Sequence, residues 1–305
     1  MDLKWISLLG EFHQQNSWLI FSGKQVEVGG QYQPAIGNFL CNQRFSGGTI
    51  EADIIFDELD DASACELILF YDPSTRSFLT AGLGGFGASF SIRHFTNRWT
   101  VLAAAGEKKN LGPGISYHVK AGLIGSQISL NVDGIDVLSA QMPFSLPPSQ
   151  VGVWCLSKHQ IRVGKYSVRT VPPKVFVVME FSSPYNEIYL EVIKRISEEF
   201  EIEAVRADET FGPGIILTDI ARQIIESKAV IAEITPPNPN VYYEIGYAHA
   251  LGKPTILIAD KSAKIPFDVS PFRILLYENT IPGKSRFEAG LRKHLAAIFA
   301  PGTGT

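Results

Sequence analysis

The sequence predicts two domains of different class: an all-β sandwich over residues 1–170, then an α/β domain built on a parallel sheet over residues 174–305. Three observations carry this. Up to about residue 170, short alternating polar and apolar runs are separated by turn residues about every ten positions, and helical periodicity is nearly absent. From Lys174 on, continuous apolar runs alternate with segments whose apolar residues recur every three or four positions. Between the two, Pro172 and Pro173 stiffen the chain and stop the preceding strand.

In the first half the expected strands are Trp18–Phe21, Gly37–Asn42, Gly48–Phe56, Cys65–Tyr71, Phe78–Leu83, Ala88–Phe95, Trp99–Ala105 and Ser116–Ala121. Gln127–Val132 and Asp136–Ser139 flank Asp133 and Gly134, a strong hairpin signal. Gln150–Leu156 and Lys165–Val168 close the domain.

In the second half, Val175–Met179 is apolar throughout, as a central parallel strand buried on both faces requires. Ser183 and Pro184 suit the cap and first turn of a helix whose apolar stripe is Ile188, Val192, Ile193, Ile196 and Phe200. Ile202–Val205 is the second strand, Arg206–Gly214 a loop and Ile215–Ser227 the second helix. Ala229–Ile234, Thr255–Ala259 and Ile274–Tyr277 are the remaining strands, and Ser285–Phe299 is a closing helix. Repeated strand–helix–strand units with right-handed crossovers give a doubly wound, flavodoxin-like sheet of order 2-1-3-4-5. Its ligand cleft is expected at the carboxyl ends of strands one and three.

The most informative stretch runs from Asn238 to Gly252. Asn238 is a good N-cap, Pro239 suits the first helical position, Gly252 accepts a left-handed cap and Pro254 forbids further helix. Glu244 is the one acid within it. It is either a solvated residue of an amphipathic helix or a carboxylate lining a cleft. Asn240, Tyr247 and Ala248 share its face at helical spacing.

Residues 238–254 resemble the characteristic helix of the nucleoside 2-deoxyribosyltransferase-like superfamily, which is similar in fold to Toll/interleukin-receptor (TIR) domains that cleave NAD. The resemblance spans about 174–300 and includes Val175–Phe181, Arg206 to Asp208, Ile220–Thr235, and Pro266 to Asp268 with Arg273 and Tyr277. It departs at Glu233, where aspartate is expected.

The resemblance implies an enzyme that breaks an N-glycosidic bond of NAD or a related nucleotide, with Glu244 acting at the anomeric carbon. Its surroundings should raise its pKa and the helix amino terminus oppose this, so it is expected to be ionised at neutral pH and to serve as nucleophile. Asp208 is the expected proton donor, and Arg206 is expected to hold phosphate. Asn240 and Tyr243 are expected at the sugar hydroxyls, and Phe181, Tyr185 and Tyr247 against the base. The competing readings are a local ion pair for Arg206 with Asp208 and core packing for Tyr247. The resemblance further implies activity controlled by self-association and a role in cell-suicide immunity. The alternatives are a deoxyribosyltransferase or nucleotide N-hydrolase of nucleotide metabolism, and a nucleotide-binding sensor without catalysis. No cofactor or metal is expected, NAD entering only as substrate. No Gly-x-Gly-x-x-Gly or phosphate-loop motif is present.

The first half resembles concanavalin A-like jelly rolls of the laminin-G type in Gly48–Phe56, in Ser129–Ile135 followed by Val151–Trp154, and in the strand with Tyr166 and Val168. Such a fold hosts many activities. Glu51 and Asp53 share a strand face but no third acid follows in register, so a solvated face is expected there rather than a glycosidase pair. The run Asp57 to Asp61 reads as a solvated turn rather than a calcium loop, and His94, His118 and His159 as isolated strand residues. Trp99, Phe95, Tyr117 and Trp154 are the aromatics open to a carbohydrate, core packing being expected for most. Sensing, binding of a carbohydrate or protein, and oligomerisation are the roles expected of this domain.

With 45% hydrophobic and 19% charged residues the composition is globular, and a net charge of −4 with no lysine or arginine cluster argues against a nucleic-acid binder. Cys41, Cys65 and Cys155 are odd in number and far apart in sequence, which suits reduced thiols. No run approaches the ~18–20 apolar residues of a membrane span, and the amino terminus lacks a signal peptide's pattern. These features predict a cytoplasmic protein that does not engage membranes.

Overall fold

The computed structural model describes residues 3–144, 146–209, 216–265, 269 and 272–299. Residues up to Thr170 form two facing antiparallel sheets. One runs, edge to edge, Trp5–Leu9, Gln31–Phe45, Ser149–Ser157, Ala64–Asp72, Ser77–Leu83, Ala88–Phe95 and Trp99–Glu107, with Gln25–Val28 paired to the start of Gln31–Phe45. The other runs Ile135–Gln141, Gln127–Val132, Ser116–Ile124, Gly48–Phe56, Ile161–Thr170, Trp18–Phe21 and Phe12–Gln15. Alternation sorts the side chains: Ile50, Ala52, Ile54 and Phe56 turn inward against Leu67, Leu69, Leu79 and Ala81. Trp5–Leu9, Phe12–Gln15 and Gln25–Val28 were not anticipated; all three are short, and most of their residues are exposed.

The second unit is a parallel sheet of β1 (Lys174–Val178), β2 (Glu203–Arg206), β3 (Ala229–Glu233), β4 (Thr255–Asp260) and β5 (Ile274–Tyr277), in the order β2-β1-β3-β4-β5. In β1, Val175 and Val177 enter one core, and Phe176 and Val178 the other. The first core lies under α1 (Tyr185–Ile188), α2 (Arg195–Glu199) and, farther along the chain, a helix over Ile281–Phe299; a π-helical stretch, Tyr189–Lys194, joins α1 to α2. The second lies under α3 (Ile216–Glu226) and α4 (Pro239–Ala250). Ser183 does not cap α1: Pro184 occupies the cap position, and the Ser183 hydroxyl donates to Glu187 at 3.0 Å. The loop residues 210–215 and the motif residues 266–268 lie outside the described residues.

Two loops of the sandwich meet the carboxyl ends of α3 and α4. The Ser126 N–H donates to the Ile225 carbonyl at 3.2 Å, and the Met142 N–H to Ser126 at 2.9 Å, which ties the two loops together. Lys228 Nζ donates to the Leu146 carbonyl at 2.8 Å. The approach is close enough to need glycine: Gly125 (φ +59°) and Gly252 (φ +62°) would each place a Cβ within 2.4 Å of backbone oxygen, at Ile225 and Pro143.

Candidate functional site

α4 forms as its ends dictate. The Asn238 side chain accepts from the Asn240 N–H at 2.9 Å, Pro239 opens the helix, and left-handed Gly252 closes it, with the Lys253 N–H donating to the Ala248 carbonyl at 2.9 Å. Val241, Ile245 and Ala248 anchor it on the sheet. With α3 it borders a cleft of about 930 Å³ over the β1 residues Phe176, Val177 and Val178. Phe181, Ala207 and Asp208 also line it.

Glu244 lies in this cleft, 9% exposed. Among the described residues no group donates a hydrogen bond to its carboxyl. Burial pushes its pKa up to about 7, so at neutral pH it is poised between acid and carboxylate instead of fully ionised as expected. The positive end of α4 is a turn and a half away and does not offset the loss of water.

Of the other residues the sequence singled out, the cleft gathers Phe181, Asp208, Asn240 and Tyr243. Phe181 and Tyr243 are half or more exposed, at 50% and 62%, and form its rim. Four expectations are corrected. Arg206 does not line the cleft: its guanidinium is buried, donates to both oxygens of Asp208 at 2.6 and 2.7 Å and to Asn186 Oδ1 at 2.8 Å, and lies 4.5 Å over the Tyr189 ring and 5.2 Å from Phe181. Three of its five N–H groups are thereby engaged, and the residue is not part of the cleft lining. Asp208, whose two oxygens both accept from Arg206, is set up as an acceptor and not as a proton donor. Tyr247 turns away from Glu244 and packs on the same core as Ala248. Tyr185 packs on the opposite side of the sheet.

Four further cleft residues went unread in the sequence: Glu180, and Leu217, Asp219 and Gln223 on α3. Leu217, Ile220 and Gln223 share one face of that helix at helical spacing. Glu233 is buried at the end of β3, outside the cleft, with Oε1 accepting from the Thr235 N–H at 2.8 Å. Burial raises its pKa to about 8, against the hydrogen bonds of Thr235, so it is held as the acid.

The sandwich carries two polar groupings. On one sheet face, His118 Nδ1 lies 2.8 Å from Asp53, Lys165 2.7 Å from Asp53 and Lys120 3.3 Å from Glu51. Glu51 and Asp53 are thus tied to cations, and His118 is a partnered residue, not an isolated one. On the outer face of the other sheet, buried Glu66 accepts from Arg93 Nε and Nη2 at 2.9 and 2.6 Å and from Thr80 at 2.7 Å. Arg93 lies 4.0 Å over the Trp99 ring and 5.0 Å from that of Trp154. The two rings and Arg93 line a recess of about 320 Å³ beside exposed Phe86. Phe95 packs in the same cluster, while Tyr117 packs on the sandwich core and accepts from the Gly112 N–H at 2.7 Å. All three cysteines are free and buried, and Cys65 and Cys155, far apart in sequence, face each other across paired strands at 3.7 Å. Among the described residues no group of three or more His, Cys, Asp or Glu is placed to hold a metal, and no helix is long and apolar enough to cross a membrane.

No protein-family model matches the chain, and no curated protein matches it. Among solved structures it is similar to a carbohydrate binding module from Bacillus subtilis (15% identity, TM-score 0.45, covering 53% of this chain and 92% of that one). It is also similar to a β-glucanase from Bacillus licheniformis (11%, TM-score 0.37, 54% and 92%). A prokaryotic β-1,3-1,4-glucanase from a mouse hindgut metagenome is a third (10%, TM-score 0.37, 51% and 80%). Each likeness spans about half of the chain, at identities and scores from which no ligand or activity follows.

Proposed function

We propose that the α/β domain breaks the N-glycosidic bond of NAD or a related nicotinamide compound, with Glu244 acting at the anomeric carbon. The observation that supports this most is Glu244 itself: a largely buried residue whose carboxyl has no hydrogen-bond partner among the described residues, on the wall of a cleft large enough for a nucleoside. A structural carboxylate is normally paired when buried.

The choice of a cationic base follows from the acids. When the C1′–N bond of a pyridinium riboside breaks, its electron pair neutralises the ring nitrogen, so nicotinamide leaves without being protonated. A deoxynucleoside base instead needs a proton donor, and Asp208 is engaged with Arg206. The positive ring also favours the ionised form of Glu244, so the substrate draws out the nucleophile it needs. The carboxylate then stabilises the oxocarbenium-like sugar or takes it as an ester, and water supplies the hydroxyl that completes hydrolysis. The sandwich, in contact with the far ends of both cleft helices, is the regulatory or ligand-binding module of this reading; the recess of Trp99, Trp154 and Arg93 is where it would take a ligand with a flat apolar face, such as a carbohydrate.

The test is chromatographic. Full-length protein and its Glu244→Gln variant are incubated with NAD and with a panel of deoxynucleosides and their monophosphates. Nicotinamide released by wild type alone supports the proposal. Base released from the deoxy panel and not from NAD moves the protein to nucleotide metabolism, and binding without release by either protein leaves a sensor.

A further inference from the structure

The two units of the chain meet at the carboxyl ends of the two helices that wall the cleft. The Ile225 carbonyl, in the last turn of α3, accepts from the Ser126 N–H at 3.2 Å, from the Ser126 hydroxyl at 3.3 Å and from Lys253 at 2.6 Å. Lys228, just beyond α3, reaches across to the Leu146 carbonyl of the sandwich. Ser126, Ser227, Lys228 and Lys253 are each 5% exposed or less. A lysine buried that deeply needs its acceptors, so the contact cannot slip or take up water without leaving an ammonium group unsatisfied. Nor is there slack in the backbone. A Cβ at Gly125 would fall 2.3 Å from the Ile225 oxygen and 2.4 Å from Glu226, and one at Gly252 would fall 2.4 Å from the Pro143 oxygen. Two domains joined only by a tether meet through a more polar, movable surface.

We propose that the sandwich sets the shape of the cleft: the turn at Gly125 and Ser126, with Pro143 and Leu146, holds the carboxyl ends of α3 and α4 in place, and the cleft has its working form only while this joint is closed. This rests on the reading of the Glu244 cleft as the working site and adds what fixes its geometry. On α3, Leu217, Ile220 and Gln223 line the cleft ahead of Ile225; on α4, Asn240, Tyr243 and Glu244 line it ahead of Gly252. Helices of 11 and 12 residues packed on a sheet move as rods, so a displaced carboxyl end carries its wall with it. Glu244 reports the result. Its pKa is raised by burial, and a wall that swings outward admits water to it. Ser126 and the two glycines are therefore positioning residues: they touch no ligand and act through the helices.

The experiment compares the full chain as wild type, Gly125→Ala and Gly134→Ala. Both glycines are left-handed, at φ +59° and +84°, so both variants strain a turn of the sandwich. Only at Gly125 does the added Cβ meet the α/β domain; at Gly134 nothing lies within 4 Å of it. Melting curves establish that the variants are folded, and Gly252→Ala, which wedges the joint from the α4 side, serves should Gly125→Ala unfold. The readout needs no substrate: the titration of Glu244, followed by carboxyl-carbon NMR and assigned with Glu244→Gln. Gly125→Ala is expected to lower the Glu244 pKa by at least about one pH unit. Amide hydrogen exchange in α3 is expected to speed up by at least about tenfold in the same variant. Gly134→Ala is expected to leave both as in wild type. A folded Gly125→Ala in which Glu244 titrates as in wild type overturns the inference. A Gly134→Ala that moves Glu244 as far also overturns it, since strain in the sandwich and not the joint is then the cause. The expected shifts in a protein that releases no nicotinamide from NAD remove the proposed cleavage and leave the joint standing.

Discussion

Lys253 Nζ donates to the carbonyl oxygen of Ile225 at 2.6 Å, joining the segment after α4 to the last turn of α3. A second bond of 2.6 Å runs to Ser227. The end of a helix leaves carbonyls without partners, and here one lysine serves two of them. Ile225 also accepts from Ser126 of the sandwich, so the cleft helices and the sandwich share one acceptor. Lys253→Met keeps the apolar stem and removes the donors; a loss of about 1–3 kcal/mol in urea unfolding is expected. Burial, with Lys228 nearby, pushes the Lys253 pKa down to about 7. Between that value and the ordinary lysine range the unfolded chain binds more protons, so this residue's contribution to stability rises with pH from about 7 to 10. Lys253→Met removes that rise.

Glu244 has the opposite sign. Its folded-state pKa lies above its unfolded value, so stability is present below the ordinary carboxylate range and is lost as pH rises through about 7. Glu244→Gln is therefore expected to stabilise the protein at pH 8, by roughly 2 kcal/mol, and to change little at pH 4. Chemical denaturation at the two pH values reads this directly, and a variant less stable at pH 8 contradicts it.

Binding of a cationic ligand beside a half-protonated carboxyl releases protons. At pH 7, nicotinamide riboside is expected to displace up to about half a proton per site, seen as buffer-dependent calorimetric heats, and Glu244→Gln to displace none. A neutral deoxynucleoside gives no such release.

The bidentate pair of Arg206 and Asp208 places a buried guanidinium behind one acid of the cleft lining. Asp208→Asn leaves that charge half-satisfied, and a destabilisation of about 2–4 kcal/mol is expected. The affinity ratio of nucleotide to nucleoside should stay within about threefold of wild type, because Arg206 touches no phosphate. A tenfold fall in that ratio for Arg206→Lys restores the phosphate-binding role.

Much of the architecture was legible because it follows from local rules. Continuous apolar runs gave the parallel strands, and alternation placed Gly48–Phe56, Ala88–Phe95 and Gln127–Val132 at their observed bounds. Both ends of α4 were marked by residues with one conformational use. What was not legible is rotation and partnership. Spacing put Asn240 and Tyr247 on the face of Glu244, but the residue four before it lines the cleft, and the one three after it turns onto the sheet. Arg206 and Asp208 are near neighbours in sequence and closed on each other, which spacing alone did not choose over binding a ligand. Gln223 carries no charge and stands beside a stripe of isoleucines, so nothing in the sequence set it apart. Trp5–Leu9 is an edge strand whose mostly exposed residues blur the alternation on which strand reading depends.

The most direct test is the division of kinetic and binding effects in Glu244→Gln. With Glu244 at the anomeric carbon, the variant binds nicotinamide riboside within about tenfold of wild type, while its rate of nicotinamide release falls by at least about a thousandfold. A variant that retains a tenth or more of wild-type turnover contradicts the account.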